Sequence, residues 1–183
     1  MVALNFKISV FKLLARGCWM VGWMVGILLI FSRFVCPVIW WNFSPSAPEG
    51  IYIYAPSQKL HYGDFVIVSL PIDVAALHVK QGHRMLKRVQ GFPGDSYTVT
   101  NDSLLLRNRD YPIANKMRLP HIPPGDYVVN KANLLFLNDP DISFDSRYLG
   151  QFQEKNVICK VLFLISFQKI TDFVNGVKQY ANW

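Results

Sequence analysis

The sequence predicts a mostly β domain that follows one amino-terminal transmembrane helix and ends in a short amphipathic helix. Three observations carry this prediction. An uncharged apolar run occupies residues 17–32, β-rich runs alternate with turn residues after residue 42, and apolar residues recur at helical spacing near the end of the chain. A chain of 183 residues is long enough for one domain with a hydrophobic core and an accessory segment.

Charge is unevenly distributed along the chain. The composition is 51% apolar and 17% charged, with a formal net charge of +7. Between Gly17 and Trp41 the one charged residue is Arg33, and no acid precedes residue 42 to offset Lys7, Lys12 and Arg16. Much of the positive charge therefore flanks an apolar segment, which argues against a nucleic-acid partner.

Residues 17–41 are predicted to form a membrane anchor. A spanning helix needs about 20 residues, and the run between Arg16 and Arg33 suffices if both arginines extend their charged heads to the headgroups. Four tryptophans suit the two membrane interfaces: Trp19, Trp23, Trp40 and Trp41. The alternative is a cleavable signal peptide, which the long apolar stretch and its arginine disfavour.

The basic residues also predict the orientation of this anchor. The tail of residues 1–16 carries three basic residues and no acid, and positive residues stay on the cytoplasmic side of a membrane. We therefore expect a cytoplasmic tail, a lipid bilayer as partner, and a domain on the extracytoplasmic side.

Residues 42–168 are predicted to form an antiparallel β domain. Its β-rich runs are separated by turn residues, a pattern typical of a barrel-like or folded sheet. The predicted strands are 51–54, 65–70, 85–89, 96–100, 103–107, 127–129, 134–137 and 157–167.

Residues 169–183 are predicted to form the amphipathic helix. Ile170, Phe173, Val174 and Val177 stand at i, i+3, i+4 and i+7, one face of a helix. We expect this face to pack on the domain, with the membrane surface as the alternative.

Cysteine and histidine give no sign of a metal site, and no cofactor is expected. The three cysteines, Cys18, Cys36 and Cys159, show neither a metal-ligand spacing nor a paired disulfide framework. They are interpreted as small hydrophobic residues.

Three polar clusters carry the candidate chemistry, although none is persuasive alone. Residues 42–52 form a Ser/Pro-rich turn directly after the anchor, which is also typical of a linker. Residues 85–95 place a lysine in an apolar strand before a Gly/Pro turn, where a solvated lysine is the ordinary case. Residues 138–150 crowd polar residues into what could be a loop held by one ion pair.

Together these clusters resemble the boxes of the signal peptidase I family, the membrane-bound Ser–Lys peptidases. Residues 46–52 (Ser-Ala-Pro-Glu-Gly-Ile-Tyr) are similar to the shortened nucleophile box of the conjugal-transfer, TraF-like branch. Residues 87–95 (Lys-Arg-Val-Gln-Gly-Phe-Pro-Gly-Asp) resemble the lysine box, and residues 143–150 (Ser-Phe-Asp-Ser-Arg-Tyr-Leu-Gly) the last box. Residues 63–68 match the strand box between the first two. The four boxes stand in family order behind an anchor.

The resemblance implies a role for each site residue. Ser46 corresponds to the nucleophile and Lys87 to the general base. The Ser44 hydroxyl and the Ser46 backbone N–H correspond to the oxyanion hole, and Ser143 to the serine that orients the lysine amine. The supporting residues are Asp145, Ser146 and Arg147.

This chemistry places a demand on the lysine. A serine hydroxyl is a poor nucleophile until a base takes its proton, and a lysine serves as base only when neutral. Its pKa must therefore fall by roughly 3 units, about 4 kcal/mol, for work near neutral pH. Burial produces such a shift, and the neighbours of Lys87 are apolar: Met85, Leu86, Val89 and Phe92.

The function that the resemblance implies is a single-pass endopeptidase of the bacterial inner membrane with a periplasmic catalytic domain. It would remove a signal or propeptide from a membrane-associated precursor with small residues at the cut, such as a pilin or another conjugal-transfer protein. The alternatives are a general signal peptidase I and an inactive structural component of a transfer or secretion channel.

Overall fold

A computed structural model describes residues 16–28, 30, 38–114 and 119–181. The chain divides into two units, residues 1–38 and 39–183. In the first unit, residues 16–28 form helix α1. Among the described residues, no helix is both long enough and apolar enough to span a membrane. Residues 29 and 31–37 of the predicted anchor lie outside the described part, and the anchor stays a prediction.

The second unit is mostly β, as predicted. Its strands are β1 (Ile39–Asn42), β2 (Gly50–Tyr54), β3 (Phe65–Ser69), β4 (Arg84–Gly91), β5 (Ser96–Val99), β6 (Ser103–Leu106), β7 (Arg109–Pro112), β8 (Gly125–Val128), β9 (Asn133–Phe136), β10 (Phe152–Gln153) and β11 (Val157–Ser166). Its α-helices are α2 (Ser146–Leu149) and α3 (Phe167–Ala181), and short 3-10 turns occupy Ala75–Leu77 and Glu154–Asn156.

These strands form two antiparallel sheets. One contains seven strands in the order β1-β2-β11-β3-β4-β9-β10, and the other contains four in the order β7-β6-β5-β8. Three of these strands were not predicted from the sequence. β1 begins at Ile39, inside the segment assigned to the anchor. β7 reads Arg-Asp-Tyr-Pro, a polar sequence that a strand at the edge of a sheet tolerates. β10 has two residues.

The core forms on both faces of strand β9. Leu134 and Phe136 pack with Val66 and Val68 of β3 in one cluster. The alternate residue Leu135 belongs to a second cluster, formed largely by the four-stranded sheet. A strand buried on both faces reads as a continuous apolar run, which is why β9 is Asn-Leu-Leu-Phe.

Helix α3 departs from the predicted packing. It begins at Phe167, before the predicted start at residue 169. Phe167 stacks on Phe43, with ring centroids 4.9 Å apart. Further along the predicted apolar stripe, however, Phe173 is 73% exposed and Val177 is 51% exposed. The expectation that this face packs on the domain is therefore wrong beyond the first turn.

Candidate active site

The Lys87 side chain is buried in the seven-stranded sheet. Lys87 lies in the middle of β4, opposite the fully buried Val66 of β3. It is 4% exposed, and its Nζ donates a hydrogen bond to Ser143 Oγ at 2.9 Å. Ser143 itself is 0% exposed. Two of the predicted site residues, 56 positions apart in the sequence, are thus in contact.

This burial changes the acidity of the lysine. Loss of hydration disfavours the ammonium form and lowers the pKa of Lys87 from its ordinary value of 10.5 to about 8. The negative charge of Asp145 acts in the opposite direction, and the positive charge of Arg147 adds to the lowering. A substantial neutral fraction near pH 8 gives this amine the capacity to accept a proton.

Asp145 and Arg147 form a fully buried ion pair below the lysine-bearing strand. Arg147 Nε donates to Asp145 Oδ1 at 2.9 Å, and both side chains are 0% exposed. Asp145 also caps α2 by accepting from the Arg147 backbone N–H at 3.1 Å. Arg147 Nη1 donates to the carbonyl of Pro112 at 3.1 Å, which ties the pair to β7. Between them, Ser146 Oγ accepts from the backbone N–H of Phe136 at 2.8 Å.

Asn138 joins this network, and sequence reasoning did not assign it a role. Its backbone N–H donates to Asp145 Oδ2 at 3.1 Å, and its carbonyl accepts from Arg147 Nη2 at 2.5 Å. Its side-chain Nδ2 donates to the carbonyl of Leu86, directly before Lys87, at 3.2 Å. The available signal was an asparagine directly after an apolar run, at the point where a strand gives way to a polar loop.

The two serines of the first cluster lie in a turn between β1 and β2. Ser44 Oγ and Ser46 Oγ are 2.9 Å apart, within hydrogen-bond distance. The Ser46 backbone N–H also donates to Ser44 Oγ at 3.3 Å. Ser46 is half-buried and Ser44 is exposed. The serine hydroxyls are therefore paired with each other at an accessible position.

Asn42, the last residue of β1, holds this turn. Its Nδ2 lies within 2.9 Å of the carbonyl oxygen of Ser44 and within 3.1 Å of those of Ala47 and Pro48, donating to all three. Its Oδ1 accepts from the Ser44 backbone N–H at 3.3 Å. Asn42 is 6% exposed, so these bonds are shielded from water.

Gly50 fixes the direction in which the chain leaves the turn. Its φ is +155°, a conformation that L side chains rarely adopt, and a Cβ would collide with the Ile165 carbonyl oxygen. The glycine of the predicted nucleophile box is thus required by the pairing of β2 with β11.

The two predicted catalytic residues are carried by different parts of the seven-stranded sheet. Among the described residues, no hydrogen bond links Ser46 Oγ with Lys87 Nζ. In the sheet, β11 and β3 lie between the strand that follows Ser46 and the strand that carries Lys87. Two groups of residues therefore make up the candidate site: a buried amine with its hydrogen-bonded support, and an accessible turn that carries two serines.

Comparison with known proteins identifies the family. The signal peptidase, peptidase S26 family matches residues 12–166. The chain belongs to this family. It is similar to signal peptidase IB from Staphylococcus aureus strains Mu50 / ATCC 700699, N315 and MW2, each with 28% identity over 110 residues. Each alignment covers 50% of this chain and 58% of the relative, so the chain spans little more than half of their length.

A signal peptidase solved by crystallography is also similar. A signal peptidase I from Enterococcus faecalis V583 shares 18% identity, with 57% of this chain and 97% of that chain covered. The TM-score is 0.38. This likeness is too low to add to the family assignment.

Proposed function

We propose that the chain is a serine endopeptidase in which Ser46 is the nucleophile and Lys87 the general base. The observation that carries the proposal is the buried Lys87 amine, which donates to Ser143 at 2.9 Å and has its pKa lowered by burial to about 8. A surface lysine, in contrast, would remain almost entirely protonated at pH 8. Membership of the signal peptidase family supports the reaction class.

In the proposed reaction, neutral Lys87 takes the proton of Ser46 Oγ as this oxygen attacks the carbonyl carbon of the scissile peptide bond. The Ser46 N–H and the Ser44 hydroxyl stabilise the resulting oxyanion, each donor contributing about 3 kcal/mol. The C–N bond then breaks, and the Lys87 ammonium returns its proton to the departing amine. Water hydrolyses the acyl-Ser46 ester with Lys87 again acting as base.

This reaction requires the Ser46 Oγ proton to point to Lys87. Proton transfer needs Ser46 Oγ and Lys87 Nζ within about 3.2 Å of each other. Ser46 Oγ also lies 2.9 Å from Ser44 Oγ, so the Ser44 hydroxyl can donate to Ser46 Oγ while Ser46 gives its own proton to Lys87.

We propose that the substrate is a membrane-associated precursor with small residues at the cut, such as a pilin or another conjugal-transfer protein. Its support is the shortened box Ser46-Ala47-Pro48, similar to the conjugal-transfer branch. A general signal peptidase I is the second candidate, because the curated relatives carry the name signal peptidase IB. An inactive channel component is the third, and the buried lysine argues against it.

We further propose that the apolar segment from Gly17 to the residues before β1 anchors the chain in a bacterial inner membrane, with the β domain on the periplasmic side. An exposed apolar surface supports contact with the bilayer. Phe43 is 72% exposed and Trp41 55% exposed beside Phe167, and Phe173 of α3 is 73% exposed. Aromatic side chains of this kind favour the interface between lipid and water.

The reaction is tested by co-expressing candidate precursors with wild type, Ser46→Ala and Lys87→Ala, and following precursor size. We expect processing by wild type and none by either variant. Processing by both variants at the wild-type rate would show that the dyad is assigned wrongly. A panel with a pilin precursor and an ordinary secreted precursor separates the dedicated from the general peptidase.

The membrane proposal is tested with single engineered cysteines in an otherwise cysteine-free full-length chain. Ser57→Cys, at an exposed position, should react with a membrane-impermeant maleimide from the periplasmic side. Val174→Cys should react slowly in vesicles and quickly in detergent. Labelling of Ser57→Cys from the cytoplasmic side alone contradicts the orientation, and equal rates for Val174→Cys in both media contradict the lipid contact.

A further inference from the structure

Asn138 holds the strand segment that carries Lys87 on the side facing β9. The backbone N–H of Leu137 donates to the carbonyl of Arg88 at 3.0 Å, and the Asn138 Nδ2 donates to the carbonyl of Leu86 at 3.2 Å. The two accepting residues are the immediate neighbours of Lys87. Strand β9 ends at Phe136, so the Asn138 side chain replaces the next donor that a longer strand would have supplied.

The backbone of Asn138 is bound to the opposite part of the site. Its N–H donates to Asp145 and its carbonyl accepts from Arg147, so both backbone polar groups are used by the buried ion pair. Asp145 of this ion pair also caps α2, which begins three residues after Ser143. The Ser143 hydroxyl accepts the hydrogen bond from the Lys87 amine. Asn138 is thus bonded both to the strand of the base and to the loop of the residue that orients it.

One atom of Asn138 remains unpartnered. Within the described part of the chain, its Oδ1 is buried and accepts no hydrogen bond. An unpaired buried acceptor is destabilising, which offsets much of what the other hydrogen bonds of this residue contribute to stability. Its net effect on stability is therefore expected to be small, whereas its effect on the position of β4 is specific.

We propose that Asn138 is a positioning residue that keeps the Lys87 amine dry and aligned with Ser143. This inference rests on the proposed function for its catalytic consequence, although the effect on the lysine itself is independent of catalysis. Removing the bond to Leu86 loosens β4 from the Ser143 loop and admits water to the amine. Greater hydration favours the ammonium form, so the pKa of Lys87 rises towards its ordinary value.

Two variants test the proposal in the full-length chain in detergent micelles. Asn138→Leu removes the donor and also the unpaired acceptor. Asn138→Ala removes the same donor and acceptor and introduces no charge near the lysine. The matched control is Asn133→Leu at the start of β9, because the amide of Asn133 donates to Gln151 at 3.1 Å rather than to β4.

Two measurements separate the failure of this proposal from the failure of the proposed function. Competitive acetylation read by mass spectrometry gives the pKa of Lys87 without reference to activity. The pH profile of kcat/KM on a fluorogenic peptide with alanines before the cut gives the catalytic consequence. Each is performed on wild type, both Asn138 variants and the control.

We expect the pKa of Lys87 to rise by about one unit in both Asn138→Leu and Asn138→Ala. The acid limb of the kcat/KM profile should move by the same amount, which lowers activity at pH 7 roughly tenfold. The control should leave both unchanged. Wild-type values in both Asn138 variants would overturn the positioning role, and if Asn138→Leu fails to fold, Asn138→Ala decides alone. A shifted lysine in a chain whose activity survives Lys87→Ala would overturn the proposed function and leave the positioning role standing.

Discussion

The two halves of the candidate site are built in opposite ways. Lys87 is 4% exposed and is held by a hydrogen bond to a residue 56 positions away. The turn of Ser44 and Ser46 is accessible, and its bonds to Asn42 join residues two to six positions apart. The lysine half therefore depends on the tertiary fold, whereas the serine half is organised by its own sequence.

This difference follows from what each group has to do. A lysine becomes a base near neutral pH only where water is excluded, which requires a rigid and buried setting. A serine nucleophile must meet a peptide that arrives from solvent, so it has to remain accessible. The comparison implies that disturbing the lysine half changes acidity and stability together, while disturbing the serine half changes the rate with little effect on stability.

The largest expected effect on activity comes from removing either of the two proposed catalytic groups. Ser46→Ala and Lys87→Ala should each lower kcat/KM on the order of 10⁴-fold or more, because neither group performs its step without the other. The double variant should then be no slower than the slower single variant. Additive losses in the double variant, measured on the same fluorogenic peptide, would contradict a dyad that acts as one unit.

The next largest effect concerns the stability of the lysine half. Asp145→Asn leaves the 0% exposed Arg147 without its counter-charge, which should lower the free energy of unfolding by about 3–5 kcal/mol. The matched control is Asp139→Asn. Asp139 pairs with Arg109 at 2.7 Å and with Arg88 at 3.1 Å, but all three side chains are reached by solvent, so its loss should cost much less than the loss of Asp145. Equal decreases in the free energy of unfolding, measured with urea, would show that the contribution of these ion pairs to stability does not depend on their burial.

A third prediction uses the lysine itself. Because burial lowers the pKa of Lys87 from 10.5 to about 8, the buried ammonium destabilises the fold by about 3 kcal/mol below pH 8. As pH rises from 8 to 10.5, the native lysine loses its proton before the unfolded one, and this cost disappears. Lys87→Met should therefore unfold at higher urea than wild type at pH 7, and the difference should shrink towards pH 10.5. A less stable variant at pH 7 would contradict a desolvated lysine.

Much of the fold could be predicted from local pattern, as two elements illustrate. Strand β3 reads Phe-Val-Ile-Val-Ser after a Gly-Asp turn, and α3 repeats apolar residues at helical spacing. β7 was not predicted because its sequence is polar and its strand conformation depends on pairing with β6. The exposure of Phe173 was not predicted either, because apolar residues at helical spacing indicate an apolar face but not which part of the molecule covers it.

The candidate site was predictable to the extent that the family boxes describe it. The contact between Lys87 and Ser143 matches the role that the resemblance implies for Ser143. Asn138 could not be found in this way, because its bond to Leu86 crosses 52 positions and leaves no local signature. The pairing of Ser46 with Ser44 depends on the conformation of the turn, which no residue pattern specifies.

The smallest effect is expected in the serine half and decides whether its local bonds serve catalysis. Asn42→Asp keeps the acceptor for the Ser44 N–H but loses the donor to Ser44, Ala47 and Pro48. The turn should lose about 1–2 kcal/mol of local stability, and kcat should fall roughly tenfold because Ser46 is no longer preorganised. KM and the acid limb of the pH profile should stay at their wild-type values, since Lys87 is untouched. A shifted acid limb would mean that the two halves are coupled and that the serine turn also sets the environment of the base.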